Sequence, residues 1–253
     1  MALYPIVRLG FYDNNTDRNM NDATIERLNQ INREFYQITA NSFDQSRSQP
    51  WPGWEILAGH LSAPLTVLDV GCGNGRFGVF LVRRFGATIT YYGIDSNPIL
   101  LSRAEEALRG FEVHLTCRDV IDNPPDSGEY DLVALFGMLH HIPGYERRRA
   151  FLRRLADRVA PGGLLAFAAW RFYDFARFRE RIIPWPDDIQ VEANDYLLDW
   201  RRETPALRYC HYVDDAEHAA LVAATGLTEI VTYRADGETG DMNRYSLLRK
   251  DNA

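Results

Sequence analysis

Val67-Leu68-Asp69-Val70-Gly71-Cys72-Gly73-Asn74-Gly75-Arg76-Phe77-Gly78 is the stretch on which the fold turns. A short apolar run, 66–70, runs into closely spaced glycines, and a helix-like stretch follows over 75–85. Glycines after a buried strand let the backbone turn tightly into a helix and approach a ligand closely. Letter by letter, Gly73, Gly75 and Gly78 also fit the dinucleotide pattern G-x-G-x-x-G. Asp69 argues against that reading, because a carboxylate two residues before the first glycine would repel a pyrophosphate. A ligand that carries an ammonium group instead of phosphate suits it.

Outward from this loop the chain alternates. Residues 88–94 and 111–116 read as strands, with a helix over 98–108 between them that has Pro98 in its first turn. A strand at 130–136 is followed by an amphipathic helix over 146–160, with Phe151, Leu152, Leu155, Ala156 and Val159 on one face. Pro161-Gly162-Gly163 should stop it before a strand at 164–169. A helix over 214–225, a strand at 227–233 and a last strand at 244–249 close the chain. Strands alternating with helices imply right-handed crossovers and a doubly wound α/β fold of the Rossmann type, mostly parallel and covered on both faces. Upstream, Asp22 can cap an N-terminal helix with Ile25, Leu28, Ile31, Phe35 and Ile38 on its apolar side. Residues 42–53 include Pro50-Trp51-Pro52-Gly53 and read as a loop. Residues 1–20 read as a loose tail and 21–253 as a single domain, with 171–212 a proline-interrupted insertion that caps the sheet.

Composition bounds the alternatives. The 253 residues are 46% hydrophobic and 25% charged, enough for a large core. No run reaches the roughly 20 apolar residues of a membrane span, and no signal peptide is apparent at the N-terminus. Three scattered cysteines, Cys72, Cys117 and Cys210, make neither a disulfide framework nor a cysteine metal site, so a reducing, cytoplasmic setting and no metal are expected. The net charge of −7 argues against a protein basic all over. Residues 141–181 nevertheless hold ten arginines against four acids, a local +6 of the kind that a phosphate-backbone contact would need.

Further acids recur at strand ends. Asp95 closes the second strand, 26 residues after Asp69, where it can accept both hydroxyls of a ribose. Asp119 follows the third strand and can meet an adenine amino group. Together with Tyr130-Asp131-Leu132-Val133 and Pro161-Gly162-Gly163, these motifs resemble the class I S-adenosylmethionine-dependent methyltransferases over about residues 65–170. The resemblance implies a seven-stranded sheet with an antiparallel last strand. It also implies S-adenosyl-L-methionine as cofactor, with S-adenosyl-L-homocysteine as product. The implied cofactor residues are Tyr36, Asp69, Gly71, Cys72, Gly73, Gly75, Asp95, Ser96, Asp119, Val120 and Phe136.

The flanks carry a narrower resemblance. Ser46-Arg47 with Pro50-Trp51-Pro52, Leu139-His140-His141, Asp195-Tyr196-Leu197-Leu198-Asp199-Trp200, Arg208-Tyr209-Cys210-His211 and Asn243-Arg244-Tyr245 are similar, with substitutions, to motifs of the tRNA wobble-uridine carboxyl methyltransferases. These enzymes esterify 5-carboxymethyluridine. The resemblance implies tRNA as partner and a small zinc-binding activator protein. A carboxylate acceptor is already ionised at neutral pH and needs a cationic grip more than a base. Arg47 and Arg208 suit that task, since guanidinium matches carboxylate geometry. His140 or His141 can hydrogen-bond the acceptor, with one of the two adjacent rings facing away. Alternatives stay open: a small-molecule methyltransferase acting on a free carboxylic acid, a quinone or a natural-product intermediate; a non-catalytic S-adenosylmethionine-binding module; and, more remotely, a dinucleotide oxidoreductase.

Overall fold

The computed structural model describes residues 20–45, 49–200 and 205–252. In chain order the elements are α1 (Asp22–Gln45), α2 (Gly53–Ala58), β1 (Leu65–Val70), α3 (Arg76–Phe85), β2 (Ile89–Asp95), α4 (Pro98–Ala107), β3 (Glu112–Cys117), β4 (Tyr130–Leu135), α5 (Tyr145–Ala156), β5 (Val159–Trp170), α6 (Ala176–Arg179), β6 (Ile182–Ile183), β7 (Asp195–Trp200), β8 (Ala206–His211), α7 (Asp215–Thr225), β9 (Thr228–Ala235) and β10 (Asn243–Arg249).

Seven strands form one sheet in the order β3-β2-β1-β4-β5-β10-β9. The pairs from β3 to β5 are parallel, and β10 runs antiparallel to both β5 and β9. Because side chains alternate along a strand, each strand feeds two cores. Val67, Leu132, Ala134, Ala166 and Leu247 pack under α2 and α3 with Trp54, Phe77 and Leu81. Leu68, Val133, Leu135, Leu165 and Phe167 pack under α5 and α7 with Phe151, Leu155 and Leu221. Strand order reverses between β1 and β4, which is where open α/β sheets leave a crevice at their carboxyl ends.

Several expectations are corrected. The segment 42–53 is not all loop, because α1 continues to Gln45 and α2 begins at Gly53. No helix breaker occurs before Pro50, so nothing ends α1 at residue 42. Its cap is Asn21, whose Oδ1 accepts the Thr24 amide, rather than Asp22. Ile38 is 50% exposed, so it lies off the buried face of α1. Pro161, Gly162 and Gly163 lie inside β5, not at a helix end. Gly162 adopts φ 75°, and its amide meets the Lys250 carbonyl beyond β10.

The insertion 171–212 contains a second sheet, in the order β6-β7-β8, all antiparallel. It is pinned by a buried charge network. Arg148 of α5, 1% exposed, donates to Glu217 of α7 at 2.6 Å and to Glu192 at 2.9 Å. His211 of β8 contacts Asp195 at 2.7 Å and Glu217 at 2.6 Å.

The ten arginines of 141–181 do not share a face, since successive helical residues point about 100° apart. Arg148 and Arg171 are buried in ion pairs, Arg147 pairs with Asp22, and Arg149 pairs with Glu146. Arg153, Arg154 and Arg158 lie where α5 leads into the start of β5, the end of the sheet away from the crevice. Among the described residues, no helix is long and apolar enough to cross a membrane.

Candidate active site

The crevice is a cavity of about 1050 Å³, open solvent at its mouth included, between α1 and the carboxyl ends of β1 to β4. Gly71, Cys72 and Gly73 line it, held against β2 by Gly71 and Cys72 amides that both donate to the Ile94 carbonyl. Gly73 adopts φ 55°, and a Cβ placed there would meet nothing within 4 Å. That bare backbone faces the cavity, so a ligand can lie directly on it.

Asp95 lines the cavity beside this loop. One carboxylate oxygen accepts the Gly73 amide and the other the Asn97 amide, both at 2.8 Å. These bonds aim the carboxyl group, and burial raises its pKa despite them. Each oxygen keeps a lone pair, which fits a ribose diol. Asp69 is nearly sealed from solvent, and the Tyr91 hydroxyl donates to it at 2.5 Å. Burial pushes its pKa up to about 7, so the group is poised to ionise fully when a cation arrives.

Asp119 lines the far end of the cavity with Val120. Its Oδ1 accepts the Ile121 amide at 3.0 Å, and its Oδ2 faces Arg33 at 3.3 Å. Tyr36, Ser96, Phe136 and His141 complete the expected residues on the wall. His141 touches Tyr36 through one ring nitrogen and the Tyr209 carbonyl through the other.

Three expected site residues are off the cavity wall, and a fourth is not described. Gly75 is turned toward α4, where a Cβ would strike Ala104 at 2.8 Å, so its role is packing. His140 is buried off the cavity, its ring 5.2 Å from Trp170. Arg208 is also off the cavity wall and only 7% exposed. Its guanidinium lies 4.6 Å from the Trp170 ring, 5.5 Å from Phe35 and 5.7 Å from Trp200. Among the described residues it has neither an ion pair nor a hydrogen bond. Arg47 lies outside the described residues.

Arg76 is a wall residue that the motif analysis passed over, although it directly follows Gly75. Its guanidinium lies 5.2 Å from both the Trp51 and Trp54 rings and donates to the Gln49 carbonyl at 2.9 Å. Burial draws its pKa down to about 10, so it stays cationic and can face a carboxylate. The two tryptophans are set in place by the last hairpin. Asp236 accepts the Gly53 amide on Oδ1, and the Tyr245 hydroxyl and Asn243 amide on Oδ2.

The donor set therefore matches S-adenosylmethionine from end to end. Arg76 and Asp69 suit the carboxylate and ammonium of an amino acid, Asp95 suits a ribose, and bare Gly73 backbone lies between them.

Comparison with known proteins agrees with this geometry. Residues 67–163 match the family described as "Methyltransferase domain". The chain is 28% identical over 140 residues to the chloroplastic tocopherol O-methyltransferase of Arabidopsis thaliana, covering 53% of this chain and 39% of that protein. It is 30% identical over 139 residues to the tRNA (carboxymethyluridine(34)-5-O)-methyltransferase ALKBH8 of Mus musculus, covering 54% of this chain and 19% of that protein. The matched stretches thus span well under half the length of these relatives. Among solved structures, 1,6-didemethyltoxoflavin-N1-methyltransferase of Burkholderia thailandensis, bound to its substrate and S-adenosylhomocysteine, superposes with a TM-score of 0.64 at 17% identity. That match covers 92% of this chain and 93% of the other, a likeness of fold. Residues 67–163 are thus similar to a methyltransferase domain, and the chain shares the fold of these solved S-adenosylmethionine-dependent methyltransferases.

Proposed function

We propose that the protein transfers the methyl group of S-adenosylmethionine to a carboxylate, and that the carboxylate is that of 5-carboxymethyluridine in tRNA. The observation that carries the carboxylate is Arg208. Burying a cation without a counter-ion costs several kcal/mol. Each aromatic ring near it returns roughly 0.5–2 kcal/mol, so three rings offset part of that cost and satisfy none of the five N–H donors. An anion with two coplanar oxygens would satisfy them pairwise.

Bound in the cavity, the cofactor would supply a sulfonium methyl whose carbon a carboxylate oxygen can attack without first losing a proton, the C–S electron pair staying on the departing thioether. The chain supplies position and dryness. Arg208 holds the acceptor by one side, and the rings of Phe35, Trp170 and Trp200 exclude water around it. Tyr36 and His141 line the cofactor cavity, and His141 ties it to the strand of Arg208 through the Tyr209 carbonyl. Expected acceptor roles for Arg47 and His140 remain part of this proposal.

The choice of tRNA rests on the sequence motifs around Arg208 and on the relatives that carry tRNA methyltransferase names. The small zinc-binding activator protein is implied by the sequence resemblance alone. A small free carboxylic acid is the second reading. It is favoured by the dispersal of the 141–181 arginines, several of which are spent in internal ion pairs.

The test is transfer of labelled methyl groups to tRNA bearing 5-carboxymethyluridine, and in parallel to a panel of small acids. Base-labile label on the wobble nucleoside supports the first reading. Label on small acids alone supports the second. Intact binding of S-adenosylhomocysteine with no turnover on either would leave a binding module and overturn both.

A further inference from the structure

Helix α1 shows its buried side at Ile25, Leu28, Asn29, Asn32, Phe35 and Thr39, a helical spacing in which two amides occupy core positions. Asn29 is 2% exposed and Asn32 is 5% exposed, and both line the cavity. Asn32 uses Oδ1 to accept the Tyr209 amide at 3.0 Å, which leaves its Nδ2 without a partner. Asn29 has no partner for either Oδ1 or Nδ2. A buried amide left unpaired is costly, and such groups in folded proteins call for a ligand or water.

Where Asn29 sits indicates which ligand. Arg33 is one turn further along the same face, within about 6 Å by helical spacing. Arg33 contacts Asp119 at 3.3 Å, and Asp119 marks the end of the cavity beyond the ribose-facing Asp95. The oxygens of Asp119 already face the Ile121 amide and the Arg33 guanidinium. An adenine arriving there needs an acceptor for its amino group and a donor for a ring nitrogen. An asparagine amide offers that pair in one plane.

We infer that Asn29 reads the adenine of the cofactor, its Oδ1 accepting the exocyclic amino group and its Nδ2 donating to the adjacent ring nitrogen. This rests on the cavity being the cofactor site. The N-terminal helix is then part of the cofactor's base pocket as well as its roof, and it sets selectivity for adenine over a purine that lacks the 6-amino group. In the analogue with hydrogen in place of the 6-amino group, N1 still accepts from Asn29 Nδ2, but Oδ1 is left with no donor in either orientation of the amide.

The experiment is calorimetric binding of S-adenosylhomocysteine and of its analogue with hydrogen in place of the 6-amino group to the full chain, comparing wild type with Asn29→Leu and Asp95→Ala. Wild type should prefer the adenine compound at least tenfold. Asn29→Leu should lose tenfold or more in affinity for it and lose most of the preference. Asp95→Ala should weaken both compounds and keep the preference. A thermal melt separates this from a folding defect: filling the site with an apolar isostere should leave the ligand-free melting temperature unchanged or raise it, and should shrink the ligand-induced rise. Asn29→Leu with wild-type affinity, or with equal losses for both compounds, would overturn the inference. Failure of wild type to bind S-adenosylhomocysteine at all would instead overturn the cofactor site.

Discussion

The Tyr36 hydroxyl and His141 Nε2 stand 2.9 Å apart across the cavity wall, while His141 Nδ1 lies 3.0 Å from the Tyr209 carbonyl. A carbonyl only accepts, so neutral His141 carries its proton on Nδ1 and takes the Tyr36 hydroxyl on Nε2. One side chain thus ties α1, the loop after β4 and the strand that bears Arg208. Tyr36→Phe should slow methyl transfer about tenfold, and His141→Asn should slow it more. The double variant should be little worse than His141→Asn alone, with a coupling of about 1 kcal/mol in a double-mutant cycle. Additive losses in single-turnover kinetics would show that the two act separately.

Arg208 is predicted to matter for transfer and not for folding. Arg208→Met preserves length and apolar packing among Phe35, Trp170 and Trp200 while removing a charge that has no ion pair among the described residues. Transfer to a carboxylate acceptor should fall by a hundredfold or more, since a hydrogen-bonded charge pair is worth about 2–5 kcal/mol. Affinity for S-adenosylhomocysteine should change less than threefold, and the melting temperature should hold or rise. Arg208→Lys should recover only part of the rate, because an ammonium cannot grip both oxygens in one plane. A normal rate in Arg208→Met would remove the carboxylate from the proposal.

The sheet was legible because its signals are local. Asp69, Asp95 and Asp119 each follow or end a short apolar run, and one register of alternation carries the whole βα rhythm. The misread boundaries have local causes too: Pro161-Gly162-Gly163 looks like a helix stop, yet these residues form an irregularity inside β5, between Val159, paired with Tyr130, and Leu164, paired with Leu132 and Arg249, partners that lie far off in sequence. The site's outer parts were less legible. Arg208 could be picked out by residue type and motif, but its burial among three rings depends on α1, β5 and β7, which are far apart in sequence. Asn29 and Asn32 complete the helical stripe begun by Ile25 and Leu28, a signal present in the sequence and hidden by looking only for apolar residues. Nothing local marks Arg148, Glu192, His211 and Glu217 as one buried network, since four separate elements supply it.

That network predicts a stability profile with two limbs. Burial alone would raise the pKa of Glu217, but His211 and Arg148 overcome it and hold it down to about 2. A carboxyl depressed in the fold stabilises above its unfolded value, near 4.5, and loses that contribution as pH falls toward 2. His211 goes the other way: burial and Arg148 lower its pKa, yet Asp195 and Glu217, one on each ring nitrogen, leave it raised above 6.5. Its contribution is complete below pH 6.5 and fades as pH climbs through the raised value. The melting temperature should therefore fall below pH 4.5 and again on the alkaline side of 6.5. In His211→Gln the alkaline limb should flatten. An unchanged alkaline limb in that variant would mean that His211 is neutral in the fold.

Gly73 and Gly75 separate ligand binding from folding within one loop. Both hold positive φ, 55° and 73°, so alanine strains either backbone by about 1 kcal/mol. At Gly73 the added methyl meets nothing in the protein and projects into the cavity. Gly73→Ala should therefore melt within a few degrees of wild type and bind S-adenosylhomocysteine at least tenfold more weakly. At Gly75 the methyl meets Ala104 at 2.8 Å, including a backbone neighbour at 3.0 Å that cannot swing aside. Overpacking of that kind typically costs a further 1–3 kcal/mol. Gly75→Ala should lower the melting temperature clearly more than Gly73→Ala, while the fraction that stays folded keeps most of its ligand affinity. Melting curves and calorimetry on the two variants read both quantities. If Gly75→Ala lost affinity without losing stability, the loop would be holding its ligand one turn further along than the cavity shows.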